Sequence, residues 1–429
     1  MKYDSKYLCD ALRIDPSNVE EIHDVATDGG LVIHVTMAKG RAYCPSCKSD
    51  SLRSLGFVTR AVKHPFLFKE KTEFVIRERR YRCRSCGATF TARIDMASPR
   101  KRVSHELEMA AIEELMEPSS TLKLVAKRLK VTPTTVMNIF DRLCDFPRKR
   151  MPRVLCIDEC YGKGQFSEPY CLVMLDFEAK KVVDVLEGRG IAGLRKYFFE
   201  SVREEERAQV DVICIDMWEP YLSIAESYFK NAVVCIDSFH VMENLRNAVD
   251  RIRCRIMRGC PSGSDQYWLL KHCDKMLYLP KLKPWGQRRR IAKFQGYRND
   301  YELQCQLLSL SPDLRTAWGF YRAYSSMNST AKSDDEAAPV FDGLMRDPEA
   351  ARIPELASFQ SLMARWREWI LNSFLFIGGR RISNGPIEGM NSEFKKIMRV
   401  SNGVSNFRRF RARLMLIYNK EVSLSPKKG

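Results

Sequence analysis

Four cysteines in this sequence have the spacing of a metal site. Cys44-Pro-Ser-Cys47 and Cys83-Arg-Ser-Cys86 are two CxxC pairs with 35 residues, Lys48 to Arg82, between them. Each CxxC is a tight knuckle that turns two thiolates toward one centre. Two knuckles therefore make a closed tetrahedral shell for one structural Zn²⁺, with no coordination position left for a substrate. Pro45 and Gly87 supply turn residues where the knuckles need them. Three carboxylates are spread more widely: Asp158 and Asp216 end apolar stretches, and Glu388 opens a basic segment. Hard oxygen ligands of this kind suit two Mg²⁺ (or Mn²⁺) ions about 4 Å apart, one activating an attacking oxygen and the other stabilising a leaving oxygen.

The elements that position the cysteines belong to an expected zinc-binding domain, residues 1–100. Phe74-Val75-Ile76 and the basic stretch after it predict a strand running into the second knuckle, with Arg79, Arg80 and Arg82 placed to meet phosphates. Residues 101–150 predict a helix-turn-helix. Leu107, Ala110, Ala111 and Leu115 keep helical period until Glu117-Pro118. Lys130-Val131-Thr132 then makes the turn, Thr132 caps, and Pro133 opens a recognition helix. Val136, Ile139 and Phe140 face inward on it, leaving Thr134, Thr135, Asn138 and Arg142 for a major groove. The basic runs Arg100-Lys101-Arg102 and Arg148-Lys149-Arg150 flank this module; Lys149 is taken as a DNA contact, and Pro147 and Pro152 mark a hinge.

From Arg153 the period changes to that of strands. Three apolar runs (154–158, 170–176, 181–186), a helix, a run at 210–216, another helix and a run at 232–237 give the order βββαβαβ. This is the element order of an RNase H-like fold, so residues 151–240 are expected to form the first part of a mixed-sheet α/β catalytic core. Asp158 then falls in the middle of the first strand and Asp216 at the end of the fourth. Asp237 and His240 close the next strand, as a helix cap or as support for the metals; Asp176 and Asp184 are expected at the solvent or beside lysines. Cys156, Cys160, Cys171, Cys214 and Cys235 lie in the apolar runs as small hydrophobes.

Residues 241–380, with five of the six tryptophans, predict a large helical insertion that serves as lid or dimerisation platform. Trp366 and Trp369 are expected in its core. Arg251, Arg253, Arg255 and Arg288-Arg289-Arg290 are candidate DNA contacts there, and 329–339 reads as an exposed loop. Residues 381–429 are expected to complete the catalytic core. Asn384 can cap a helix whose first turn accepts Pro386 and whose positive end favours an ionised Glu388. Asn391, Lys395 and Arg399 follow Glu388 on one face, Asn391 as support and the two cations toward the DNA backbone; Glu393 falls off that face. Glu159 points to the other side of its strand from Asp158.

Composition sets the outer bounds. With 429 residues, 45% hydrophobic and 29% charged, the chain is too long for a disulfide-stapled scaffold and too apolar for a disordered one. A net charge of +18 favours a polyanionic partner. No apolar run is long enough to span a bilayer and no signal architecture opens the chain, so the expectation is a cytoplasmic protein with reduced thiols and no membrane partner.

The chain resembles the bacterial DDE transposases of the ISL-three insertion-sequence family. The resemblance rests on the paired knuckles, the helix-turn-helix, Ile157-Asp158-Glu159, Asp216-Met217 with Pro220-Tyr221, Asp237-Ser238-Phe239-His240, and above all Ser383-Asn384-Gly385-Pro386-Ile387-Glu388-Gly389-Met390-Asn391. It implies Asp158, Asp216 and Glu388 as the DDE triad. It further implies double-stranded DNA partners (terminal inverted repeats and target DNA), cutting at the element ends, and joining of the freed 3′-hydroxyls to the target. A homodimer associated with the bacterial nucleoid is expected. Two other classes stay open at this level: a zinc-finger and helix-turn-helix transcription regulator, and a metal-dependent DNA nuclease.

Overall fold

The computed structural model describes residues 5–11, 14–39, 42–67, 70–92, 96–98, 101–162, 166–400 and 406–420. Arg100 of the first basic run and residues 421–429 lie outside the described residues. The described residues divide into two compact units, one holding those up to Phe146, 396–400 and from Arg408 onward, the other Pro147–Lys395 with Asn406 and Phe407.

In the first unit, α1 (Ser5–Ala11) precedes β1 (Val19–Thr27), β2 (Gly30–Met37), β3 (Leu52–Leu67), β4 (Glu70–Cys83) and β5 (Thr89–Thr91). The sheet order is β1-β2-β4-β3, with β5 paired to β4. Alternation builds its core, because Leu31, Ile33 and Val35 of β2 and Phe74 and Ile76 of β4 all point to one buried side. β3 begins just after the first knuckle and β4 ends at the second, with Leu52 paired to Cys83, so the hairpin sets the two cysteine pairs side by side.

Three helices follow: α2 (His105–Met116), α3 (Leu122–Arg128) and α4 (Pro133–Leu143), capped in turn by Ser104, Thr121 and Thr132. Leu107, Ile112, Leu115, Val125, Val136, Ile139 and Phe140 fill the space between them.

The second unit carries β6 (Val154–Tyr161), β7 (Tyr170–Asp176), β8 (Lys181–Glu187), α5 (Ile191–Glu200), α6 (Glu204–Arg207), β9 (Val212–Ile215), α7 (Glu219–Tyr228), β10 (Val233–Ile236) and α8 (Ser238–Arg258). The strand order is β10-β9-β6-β7-β8. β6, β7 and β8 form the expected antiparallel meander, and β9 and β10 add in parallel to β6. This is the mixed sheet of an RNase H-like core. The insertion is built of α9 (Asp265–His272), the hairpin β11 (Arg289–Ile291) and β12 (Gly296–Arg298), α10 (Asp300–Ser309), α11 (Pro312–Thr330), α12 (Asp334–Met345), α13 (Pro348–Ala351), α14 (Pro354–Arg365) and α15 (Arg367–Asn372). Trp366 is buried and packs edge-on against Trp369. A short pair, β13 (Phe376–Ile377) and β14 (Arg380–Arg381), leads to α16 (Gly385–Val400) and α17 (Phe407–Asn419).

Several sequence expectations change. Residues 334–339 are helical, with Asp334, Asp335 and Glu336 in the first turn of α12 behind the Ser333 cap; acidic groups there complement the helix dipole. Asp184 is buried, not solvated: Tyr197 Oη donates to it across 2.7 Å. α17, expected with the catalytic core, gives Ala412 and Leu416 to the core of the helix-turn-helix bundle. Arg409 there makes a two-pronged pair with Asp141, and buried Arg413 donates to the Glu117 and Ser120 carbonyls that end α2 and precede α3.

Candidate active site

The two knuckles bring the sulfur atoms of Cys44, Cys47, Cys83 and Cys86 within 4.8 Å of one another. Cys44 lies 3.5 Å from Cys86, and Cys47 3.5 Å from Cys83. Four Zn–S bonds of about 2.3 Å would place sulfurs about 3.8 Å apart, so the cluster fits a tetrahedral ion. The knuckles have matching backbone paths. Lys48 N–H donates to Cys44 O and Gly87 N–H to Cys83 O, and Lys48 and Gly87 take the same left-handed turn at φ 62° and 74°. Inward-facing amides favour thiolates: the Cys86 N–H draws the Cys83 thiol down to about 6.

The carboxylate site follows from strand register. Val154, Leu155 and Cys156 of β6 pair with Val212, Ile213 and Cys214 of β9, and β9 pairs residue for residue with β10 up to Ile215 and Ile236. Continuing that register by one or two residues puts Asp158, Asp216 and Asp237 in one row across three parallel strands, Asp158 in the middle of β6 and the other two just past the ends of β9 and β10. Cys156, Cys214 and Cys235 form the row two residues earlier, on the same face and fully buried. Cys156 Sγ–H points to Ser383 O and Cys235 Sγ–H to Asn372 O. These small side chains thus let the segment leading to α16 lie against the sheet, as fillers and not as reactive groups.

His240, in the first turn of α8, reaches back so that Nε2–H donates to Asp216 Oδ1 at 2.9 Å. Asp158, Asp216 and His240 offer ligand atoms within 4.8 Å of one another. Asp237 holds the N-cap position of α8 but makes no side-chain cap there; its Oδ1 accepts the Asn384 N–H at 3.1 Å, and its Oδ2 is buried without a partner. Glu388 stands farther out on the first turn of α16, coupled by charge to Asp237, His240 and Asp216 but outside the three-ligand group.

The segment that carries Glu388 is tied to the sheet by two asparagines. Asn384, expected to cap α16, instead turns its amide inward and donates to Ile157 O (2.9 Å) and Asp216 Oδ1 (3.1 Å). Asn391 donates to Asp158 Oδ2 (2.8 Å) and Glu159 O (3.1 Å). Both side chains are buried, so their donors go to the strongest acceptors present. Asn384 was legible only as a helix cap; no sequence signal pointed to Asp216. On the opposite face of β6, Glu159 accepts from Tyr221 Oη (2.6 Å) and Arg189 Nη1 (2.7 Å), so it is held away from Asp158 as strand alternation requires.

Crowded negative charge in a poorly hydrated place raises proton affinity. Burial and then the Asp216 charge push Asp158 up to about 7, against the stabilising Glu159 N–H. Asp237 and Glu388 are raised by the same burial. Burial opposes the His240 imidazolium, but the hydrogen bond and charge of Asp216 outweigh it and lift His240 to about 9. A row of carboxylates that cannot all ionise alone, with an unpartnered Asp237 oxygen among them, is chemically suited to hard divalent cations.

The remaining candidates divide by environment. Arg80, Arg82, Thr134, Asn138, Lys395 and Arg399 are exposed. Arg79 pairs with Glu20 and covers the Phe57 ring, and Thr135 Oγ1 is engaged with the Thr132 cap. Arg142 is not offered to a groove: it forms an ion pair with Glu108, which is buried in the bundle. In the second basic run, Arg148 forks onto Glu206, and Lys149 N–H donates to Val183 O, which docks the supposed hinge on the sheet. Arg253 and Arg255 are spent on Asp250, Asp313 and Glu355.

Among the described residues no helix is long and apolar enough to cross a membrane. No curated protein matches the chain. A family model described as a zinc-finger of transposase IS204/IS1001/IS1096/IS1165 matches residues 41–86, which hold all four clustered cysteines. One described as the helix-turn-helix domain of transposase family ISL3 matches residues 92–144, and one described as transposase matches residues 155–414. The last spans more than half of the chain and includes the whole carboxylate row with Glu388; by these three matches in order, the chain belongs to the ISL3 family of transposases.

Proposed function

We propose that this protein binds the terminal inverted repeats of an insertion sequence, cleaves DNA at the element ends and joins the freed 3′-hydroxyls to target DNA, with Asp158, Asp216 and Glu388 as its catalytic carboxylates. The observation that carries the reading is the carboxylate row across β6, β9 and β10 with the Glu388 helix clamped over it by Asn384 and Asn391. Asp158, Asp216 and Glu388 would hold two Mg²⁺ or Mn²⁺ ions, supported by Asp237 and His240. When bound, such ions activate an attacking oxygen and neutralise charge on the phosphate.

The protein's own groups do the positioning. Asn391 and Asn384 keep the Asp158 and Asp216 carboxylates aimed to one side of the sheet, and His240 holds Asp216 from the other. Lys395 and Arg399, exposed on α16 one and two turns beyond Asn391, meet the phosphates flanking the scissile bond. Cys44, Cys47, Cys83 and Cys86 would hold one structural Zn²⁺ and so tie the two knuckles together at one end of the β3–β4 hairpin. Arg80, Arg82, Thr134 and Asn138 form the end-recognition surface on the first unit. A homodimer, one subunit for each element end, suits a reaction that must cut two ends together. The test is a cleavage and strand-transfer assay on a duplex bearing the element's own terminal repeat in Mg²⁺. Nicking at the element end that requires the repeat supports the proposal; repeat-independent nicking, or binding with no cleavage, overturns it.

A further inference from the structure

Trp285 is the most exposed large apolar side chain among the described residues, at 77%. It lies in the insertion, within a stretch, 281–298, that contains seven Lys or Arg and no Asp or Glu in eighteen residues. A single exposed indole is ordinary on a protein surface; a fixed backbone and uncompensated cations around it are what distinguish a binding surface. The loop is not loose. Buried Asn299 donates to Pro284 O at 2.7 Å; buried Gln304 donates to Pro280 O at 3.1 Å and accepts from Leu282 N–H at 3.0 Å. The backbone leading into Trp285 is thus anchored to Asn299 and Gln304 at the start of α10, and the ring is presented outward from that base.

Its surroundings have the chemistry of a nucleic-acid contact. Lys283 Nζ sits 5.6 Å from the indole centroid. In the following hairpin Arg290 pairs across the strands with Tyr297, which is itself 60% exposed. Arg288 and Arg289 are balanced by Glu302 and Asp300, whereas Lys281, Lys283 and Arg290 form no ion pair among the described residues. An exposed aromatic face between uncompensated cations matches the alternation of flat base and charged phosphate along an unpaired strand. A fully paired duplex offers the cations their phosphates but hides the faces of its bases.

We propose that the segment 281–298 is a contact for unpaired DNA, in which Trp285 stacks on a base released from pairing while Lys281, Lys283 and Arg290 hold the adjoining phosphates. The contact lies outside the carboxylate site and the helix-turn-helix, and it accepts any base because every base has a stacking face. It gives the insertion a role in holding the frayed or overhanging strand that cutting at a DNA end produces, and to that extent it rests on the function proposed above.

The test uses the full-length protein and two probes. One is a blunt duplex; the other is the same duplex with a short 3′ tail carrying 2-aminopurine. The wild type should quench the 2-aminopurine and bind the tailed probe in preference to the blunt one. Trp285→Ala should abolish the quench and lower tailed-probe affinity about tenfold, while blunt-duplex affinity changes little. Trp285→Phe, which keeps a ring, should retain most of both signals. Lys283→Ala with Arg290→Ala should weaken both probes and flatten their salt dependence. Melting curves of the variants should match the wild type, because the substituted groups are exposed. Retention of the quench and of the tail preference by Trp285→Ala overturns the inference. The catalytic reading fails separately: quenching by a wild-type protein that does not cut element ends overturns that reading and leaves the stacking contact standing.

Discussion

Asn391 on α16 donates its side-chain amide to Asp158 on β6 across 2.8 Å, although 233 positions separate them in the chain. Asn384 makes the equivalent link to Asp216 at 3.1 Å, over 168 positions. The helix that brings Glu388 is therefore registered on the same carboxylates with which Glu388 is proposed to act. Any shift of α16 along or around its axis would break both amide contacts before it moved Glu388 far. Substitution of either asparagine tests that coupling.

Asn391→Ala leaves the buried Asp158 Oδ2 without its donor, at a cost of about 1–3 kcal/mol. The expected result is a lower melting temperature without metal and a fall in end cleavage with little loss of end binding. Asn391→Asp, which sets a second charge against Asp158, should be worse than Ala on both counts. Wild-type cleavage by Asn391→Ala would show that α16 is held by other contacts.

Asp158→Asn, Asp216→Asn and Glu388→Gln should each reduce cleavage and strand transfer by about a hundredfold or more, since on the proposed mechanism each removes charge that would hold the ions and stabilise the transition state. End binding should persist or tighten. Glu393→Gln, on the same helix but off the Glu388 face, should keep most activity. The comparison is made with purified protein and labelled element ends in Mg²⁺; equal activity of Glu388→Gln and Glu393→Gln would remove Glu388 from the triad.

The electrostatics give a pH dependence with a definite sign. Asp158 is raised to about 7 by burial and Asp216, and His240 to about 9 with Asp216, Asp237 and Asp158 facing it. The stability that protonated Asp158 contributes is fully present below the ordinary aspartate range and is lost as pH rises through about 7. Cation binding requires the ionised row and is opposed by the imidazolium, so protons compete with it. The rise in melting temperature produced by Mn²⁺ should therefore be small near about pH 5.5 and grow through about pH 8. A metal-induced shift that is flat with pH, or falls, would contradict this.

Removal of the Zn²⁺ proposed to sit among the four cysteines should unfold the sheet end that it would join. Cys83→Ser should lower zinc content from about one ion per chain, expose the β3–β4 end to proteolysis and weaken end binding. Zinc analysis of the native protein, with limited proteolysis before and after chelation, measures this. Native protein without zinc, or a mutant with unchanged zinc and proteolysis, would rule out the assignment.

Arg142 and Asn138, one turn apart on α4, should separate stability from recognition. Arg142→Ala leaves the buried Glu108 carboxylate facing only half-exposed His105, at 3.6 Å, and should lower the melting temperature of the first unit, weakening all DNA binding in proportion. Exposed Asn138→Ala should leave stability within about 0.5 kcal/mol while reducing the preference for the cognate repeat over a scrambled one. Thermal melting and competition binding distinguish the two; a specificity change from Arg142→Ala without destabilisation would return that side chain to the groove.

Local chemistry was readable from the residues alone. CxxC spacing, the Thr132 cap, the strand running into the second knuckle, and the βββαβαβ order depend on neighbours a few positions away, where covalent geometry limits the choices. The side-by-side placement of Asp158 and Asp216 was legible at one remove, because a strand order carries a register with it. Partner choice was not legible. Arg142 on Glu108, Asp184 under Tyr197, Arg148 on Glu206, α17 in the helix-turn-helix core, and Asn384 and Asn391 on the aspartates all join residues from separate elements. A charged or amide side chain carries the same donors wherever it stands, and which acceptor it meets is settled only when packing removes water from both and leaves each the other as its nearest partner.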